Sequence, residues 1–319
     1  MGRAGRICSR TARSSPATRR YTRRSSRRSS ARAEPGGAGV SQPMNAPSFD
    51  WRPLTSFSWD AIAEAFRRSY EGYVIPIRLT AQQMETRFAA EDLSMAQSGI
   101  GYVDGELAGI GLVARRGRAA RLAAFGVAPS FRGKGLASAM LQRIVNANAA
   151  HGDGTMELEV FEHNTPAVKL YERFGFTRKD RLMGFEKPSQ SSAAGRDLQF
   201  STPEAFAERI AAEGELDLPW QLQPETLARL SAPWQVAHDG DGACALVDLS
   251  KEAVVDLRLL HVAPHLRGKG KARALLTAIE ASAGERPIRV PQLIPSRHQA
   301  LAKALGFAPL QHCQWRMVR

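Results

Sequence analysis

Val127-Ala128-Pro129-Ser130-Phe131-Arg132-Gly133-Lys134-Gly135-Leu136-Ala137 is the stretch on which the reading of this chain turns. A β-prone run over 119–127 leads into it and a helical pattern over 135–149 leads out. A helix start leaves backbone N–H groups unpaired and carries partial positive charge, so it can hold phosphate oxygens. Gly133 and Gly135 let the backbone wrap an anion with no Cβ in the way. Ala137 keeps the first turn slim, and Arg132 and Lys134 add charge. The spacing is neither G-x-x-x-x-G-K-[ST] nor G-x-G-x-x-G, so neither a P-loop nor a dinucleotide fingerprint is present. On its own, the loop is equally compatible with an ordinary surface turn.

The stretch occurs twice. Val262-Ala263-Pro264 precedes Arg267-Gly268-Lys269-Gly270 with the same internal spacing, at an offset of 135, and that offset also carries Asp104-Gly105 onto Asp239-Gly240. Phe174-Gly175-Phe176 is answered by Leu305-Gly306-Phe307 at an offset of 131. One offset holding across a hairpin turn and a glycine loop predicts two copies of one domain in tandem. A Ser/Ala/Gly-rich linker over 189–196 separates a first domain, 44–188, from a second, 197–319. In the first copy the spacing predicts helices over 60–71, 80–98, 135–149 and 166–173, and strands over 101–103, 107–113, 119–127, 156–161 and 176–186. That order gives an α+β fold, each copy a mixed, largely antiparallel sheet flanked by helices.

Composition narrows the functional classes. The net charge of +13 suggests a nucleic-acid partner until it is mapped. Residues 1–43 hold eleven arginines, no lysine and one acid, Glu34, so ten of those charges lie in this segment and only three in the remainder. Nucleic acid is therefore not an expected partner of the folded part. The segment is poor in large apolar residues and is expected to be disordered. It can be read as a transit peptide, as an electrostatic arm, or as an upstream extension with translation starting at Met44. No apolar run approaches the ~20 residues of a membrane helix, so no membrane partner is expected. Cys8, Cys244 and Cys313 form no C-x-x-C pair, which suits a reducing cytoplasm and gives neither a disulfide framework nor a metal site.

The pattern Arg132-x-x-Gly135-x-Ala137 after a strand resembles the coenzyme A pyrophosphate signature of the GNAT-type N-acetyltransferase superfamily. So does the block Leu158-Glu159-Val160, Asn164, Ala167, Leu170-Tyr171 and Phe174-Gly175-Phe176. The resemblance is close over about 120–176. It implies that acetyl-CoA is the co-substrate, with no metal, and that the amides of Arg132, Gly133, Lys134, Gly135, Leu136 and Ala137 hold its pyrophosphate. It further implies that the strand end at Phe125–Val127 and Asn164 meet the pantetheine arm, that Tyr171 protonates the leaving thiolate, and that Glu159 is the base. For Glu159 the plainer alternative is a charge paired with an arginine such as Arg121, and a water-mediated route stays open. His151 and His163 read as solvated loop residues. Tyr70–Leu79, with Arg78, would wall the substrate side.

Physical chemistry ranks these roles. An alkyl amine has a pKa near ~10.4, so freeing it at pH 7 costs roughly 4.6 kcal/mol, whereas protonating a thiolate whose conjugate acid has a pKa of ~8.5 is worth about 2 kcal/mol. The second copy keeps the glycine loop but sets Lys271 where the first has Leu136, Ala302 for Tyr171, Pro295 for Asn164, and Pro291 in the glutamate strand. It is expected to be inactive. The expected activity is acetyl transfer to a small-molecule or peptide amine by direct attack, with a non-catalytic acyl-CoA-binding regulator as the alternative. Neither the acceptor nor the oligomeric state can be read from the sequence.

Overall fold

The computed structural model describes residues 47–73, 79–152, 154–188, 197–214, 217–238, 240 and 242–319. The expectations placed on 1–43, on the linker 189–196, on Asp239 and on Arg78 lie outside these residues. Pro43–Arg319 forms a single unit by contact.

The first half runs β1 (Asp50–Pro53), α1 (Trp59–Ser69), α2 (Ala81–Ala90), β2 (Gly99–Val103), β3 (Glu106–Arg116), β4 (Ala119–Val127), α3 (Leu136–Ala150), β5 (Thr155–Phe161), α4 (Thr165–Arg173) and β6 (Thr177–Lys187). The second runs β7 (Gln199–Ser201), α5 (Pro203–Ala211), α6 (Pro224–Leu227), β8 (Gln235–His238), β9 (Ala243–Asp248), β10 (Val255–Val262), α7 (Lys271–Ala283), β11 (Ile288–Pro295), α8 (Gln299–Ala304), β12 (Ala308–Pro309) and β13 (Gln314–Val318).

Local signals explain the element ends. Ser58 caps α1 by accepting from the Ala61 N–H, and Thr80 with Gln83 forms a full capping box at α2. The helix expected over 80–98 stops at Ala90. Asp92 adopts φ +62, which no helix continues through, and Leu93 bridges Ala114 of β3. Asp104 and Gly105 both have positive φ, the geometry of a tight hairpin between β2 and β3. At α4 the cap is Asn164, whose side chain accepts from the Ala167 N–H at 3.3 Å.

All strands join one sheet, in the order β1-β2-β3-β4-β5-β13-β6-β11-β10-β9-β8-β7, with β12 also on β6. The pairing is antiparallel except for β4 with β5 and β10 with β11. A further pair of features recurs at the offset of the sequence repeat. In β4 the register slips at Ala123, leaving it unopposed, and in β10 it slips at Arg258. Such bulges bend and twist a strand. Accordingly β4 leaves β5 after the Leu122↔Leu158 pair, and β10 leaves β11 after Asp256↔Arg289.

The two halves exchange strands. The last strand of the chain, β13, lies between β5 and β6 of the first half, while β6 pairs with β11 of the second. The cores follow the same exchange. Met317 of β13 packs with Leu158, Val168 and Phe176, and Met183 and Phe185 of β6 pack with Leu275, Ile288 and Phe307. Full burial of side chains this size contributes about 1.5–3 kcal/mol each, so each half is stabilised by a strand belonging to the other.

Candidate functional site

The loop between β4 and α3 has a single-purpose geometry. Gly133 and Gly135 sit at φ +74 and +82, and α3 begins at once with no side chain capping its first turn. The first internal bond of the helix is Ala139 N–H to the Gly135 carbonyl at 3.2 Å. Among the described residues, no acceptor meets the amides of Gly133, Lys134, Leu136, Ala137 or Ser138. Two left-handed residues followed by a helix N-terminus aim these amides into one concavity, which suits an anion. A Cβ at Gly133 would meet nothing within 4 Å, so the face is open.

The side chains of the loop do less than their charge suggested. Arg132 is turned inward: its Nε donates to the Val127 carbonyl at 2.8 Å, and its Nη2 donates to the carbonyls of Ser69 (3.3 Å) and Glu71 (2.6 Å). It ties the strand end to the end of α1 and so shapes the loop. Lys134 lies 5.8 Å from the Phe131 ring centre. Leu136 is buried with Val127, Ala108 and Met140, so only its backbone can meet a ligand. The second half repeats the arrangement, with Gly268 and Gly270 both at φ +76 and Arg267 Nε donating to the Val262 carbonyl at 3.0 Å.

Beside the loop lies the cleft that the Ala123 bulge opens between β4 and β5. Phe125 turns its N–H away from the sheet, and the phenol oxygen of Tyr70 accepts it at 3.0 Å. Tyr70 was expected at the substrate wall, not as the partner of a strand amide. The Phe125 ring is 6.5 Å from that of Tyr171, which α4 delivers to the same end of the cleft. Tyr171 is buried among Leu158, Val168 and Phe176. Burial pushes its phenol well above the ordinary tyrosine range, and the Tyr70 and Tyr73 phenols push it further. It therefore holds its proton across the physiological range, as a proton donor must.

Glu159 has a different setting from the one expected of a free base. Its carboxylate accepts from Arg121 Nε at 2.9 Å and lies 2.8 Å from Arg121 Nη2, with 5% of the side chain exposed. Arg121, 2% exposed, also donates to Glu91 at 2.6 Å. Burial alone would raise Glu91, but Arg87, Arg121 and Arg258 overcome it and hold the carboxyl at about 2. Residues of the second half cover the cluster. Trp220 Nε1 donates to the Glu91 carbonyl at 2.8 Å, and the Gln221 carboxamide, oriented to suit its neighbours, donates to Glu159 at 3.2 Å and accepts from Arg121. The oxygens of this covered carboxylate are already engaged by Arg121 and Gln221. The plainer reading, pairing with Arg121, describes what the structure contains.

Further along the same face of β5 the cover ends in aromatic rings. Phe161 is 6.2 Å from Tyr73, 5.5 Å from His163 and 6.3 Å from His312, and the two imidazoles are 4.9 Å apart. Tyr73 in turn lies 5.3 Å from Tyr70, so a run of rings connects the cleft to the His163–His312 pair. The Asn164 side chain, used as the α4 cap, stands beside Tyr73, whose phenol burial pushes up and that neighbour eases. His151 lies apart, against Arg115. No group of three metal-ligating side chains occurs among the described residues, and no helix among them is long and apolar enough to cross a membrane.

Residues 59–176 match the acetyltransferase (GNAT) family. Solved structures extend the likeness in fold to most of the chain. A GCN5-related N-acetyltransferase from Sphaerobacter thermophilus is similar at 18% identity and a TM-score of 0.62, over 88% of this chain and 96% of its own. A tandem GNAT protein from the clavulanic acid biosynthesis pathway is similar at 14% identity and a TM-score of 0.58, over 85% and 98%. A GCN5-related N-acetyltransferase from Anabaena variabilis is similar at 15% identity and a TM-score of 0.55, over 85% and 72%.

Proposed function

We propose that this chain is a tandem GNAT protein whose first half, 44–188, transfers an acetyl group from acetyl-CoA to a primary amine by direct attack. The second half, 197–319, is then a degenerate copy that completes the first. The observation that carries the reading is the set of unpaired amides from Gly133 to Ser138, which open beside the cleft between β4 and β5. A diphosphate fits those amides, and an extended arm fits a strand edge whose Phe125 N–H has only a side-chain partner. The repeated loop, the repeated bulge and the likeness to a tandem GNAT protein support the two-copy reading.

Acetyl-CoA supplies the acyl group as a thioester, whose C–S bond breaks as the amine forms its N–C bond. The chain's own groups do the rest. Loop amides hold the diphosphate, Tyr70 and Phe125 line the arm's path, and the Tyr171 hydroxyl gives its proton to the departing sulfur. Glu159 is best assigned to the Glu91–Arg121–Glu159 network rather than to proton removal, and the amine proton leaves by another route. In the second half Ala302 stands in place of Tyr171, so that half has no acid to offer even if its loop takes the same anion.

The test is direct. Calorimetric titration of the full chain with coenzyme A should show binding that perturbs the Gly133 and Gly135 amide signals. Acetyl-CoA with a panel of primary amines should release free thiol, and Tyr171→Phe should slow that release. Coenzyme A binding without turnover on any amine would favour a regulator that only senses acyl-CoA, and no binding would remove the reading altogether.

A further inference from the structure

Resting on that transferase reading, we propose that His163 and His312 form the proton-accepting pair for the acceptor amine, so that the end of the second half completes the site of the first. Glu159 is covered and ion-paired, yet an amine that arrives as ammonium must lose a proton before it can attack. The imidazoles stand where that proton could go. His163 follows β5 and immediately precedes Asn164, the cap of the helix that carries Tyr171. His312 comes from the turn before β13, close to the end of the chain, and strand exchange brings its ring within 4.9 Å of His163.

Three features suit the pair to this task. The Phe161 and Tyr73 rings beside it offer π faces that attract an ammonium group. His163 is exposed and His312 half-buried, so an amine can reach them. An imidazole nitrogen carries a lone pair that can accept a proton, and rings 4.9 Å apart put two such acceptors at one spot. The other charged and titratable groups around them are Glu162, which is bonded to Arg181, the buried Cys313 thiol, and the Tyr73 phenol. In the step itself an N–H bond of the ammonium breaks, its electron pair stays on the amine nitrogen, and the proton forms a new N–H bond on the imidazole. The imidazolium then releases it to water.

The test uses the full chain with coenzyme A and two amines of similar size. Ethylamine is almost wholly protonated at pH 7, and 2,2,2-trifluoroethylamine is largely neutral there. Adding ethylamine to the coenzyme A complex should move the imidazole resonances of His163 and His312 and leave the other five of the seven histidines in place. With acetyl-CoA, the double variant His163→Asn, His312→Asn should lower kcat/KM for ethylamine by about 100-fold and flatten its rise with pH. For trifluoroethylamine the loss should stay below about threefold, since that amine needs no base before attack. Equal losses on both amines would make the pair merely structural, and unmoved resonances or no loss on either would equally overturn it. If coenzyme A binds but the wild type acetylates neither amine, the acceptor assignment falls alone; if coenzyme A does not bind, the reading beneath it falls.

Discussion

Replacing Arg121 with methionine should destabilise the chain by about 3–5 kcal/mol at pH 7, because it leaves the buried Glu159 without its ion-pair partner and the buried Glu91 with only Arg87 bonded to it. Arg121 is 2% exposed and bonds both Glu91, 2% exposed, and Glu159, 5% exposed. An independent figure comes from Glu91, held at about 2 against an ordinary 4.5. That depression corresponds to about 3 kcal/mol, supplied jointly by Arg87, Arg121 and Arg258 against the cost of burial. The pH dependence has a definite sign. A carboxyl depressed on folding stabilises fully above its unfolded value, near 4.5, and loses that contribution as pH falls through 2. In Arg121→Met the Glu91 carboxyl moves up, so the gap between wild type and variant should be widest near neutrality and shrink below about pH 4.5. Urea unfolding followed by tryptophan fluorescence reads this, and Trp220 over Glu91 reports the cluster. The triple variant that adds Glu91→Gln and Glu159→Gln should recover much of the loss, since no buried charge then lacks a partner. A cost below about 1 kcal/mol at pH 7, or a gap independent of pH, would refute the claim that these charges are buried and mutually dependent.

Other expectations follow from the cleft and the exchange. Tyr171→Phe should lower thiol release by about 30-fold at pH 7, and the gap should narrow above pH ~8.5, where the thiolate needs no proton; a pH–rate profile checks both. Gly135→Ala places a side chain at φ +82 where its Cβ meets only Pro47 at 3.6 Å, so the cost is conformational, about 1–2 kcal/mol, seen as a lower Tm and weaker coenzyme A binding by calorimetry. Deleting 311–319 removes the strand between β5 and β6, together with Met317; hydrogen exchange should show β5 and α4 losing protection and coenzyme A binding should vanish.

What the sequence made legible was local. The glycine loop could be read because a strand end, two left-handed glycines and a helix start all lie within Val127–Leu136, and the offset of 135 then exposed the repeat without any alignment. Tyr171 could be placed because Pro166 and the apolar spacing of α4 mark the helix, which Asn164 caps. β1 was missed because Asp50–Pro53 is short, largely exposed and polar, with no alternation to reveal it. The setting of Glu159 was legible only in part. Its strand position correctly gave the face it occupies, but the groups that neutralise and cover it come from elsewhere in the chain, Arg121 from β4 and Gln221 from the second half. His163 is an exposed loop residue as expected, but its nearness to His312 was not legible because His312 belongs to the far end of the other half.

The strand exchange explains why such misses cluster on one face. A copy read in isolation is given its own last strand, so its site is assumed to be walled by its own residues. Here β6 belongs by sequence to the first half and by packing to the core of the second, while β13 does the reverse. The segment before β13 therefore supplies His312, and Asp217–Gln223 supplies the cover over Glu159. Arg316 of β13 extends the dependence by bonding Glu157 of β5 at 2.7 Å and Asp217 at 2.8 Å, which links the exchanged strand to the covering segment. A second copy that had lost its tyrosine could drift freely if it were only an appendage. On the proposed reading the second half holds the middle strand of the first, the cover over Glu159 and one imidazole of the site, so substitutions within 311–319 should affect acyl transfer more than those around its own glycine loop.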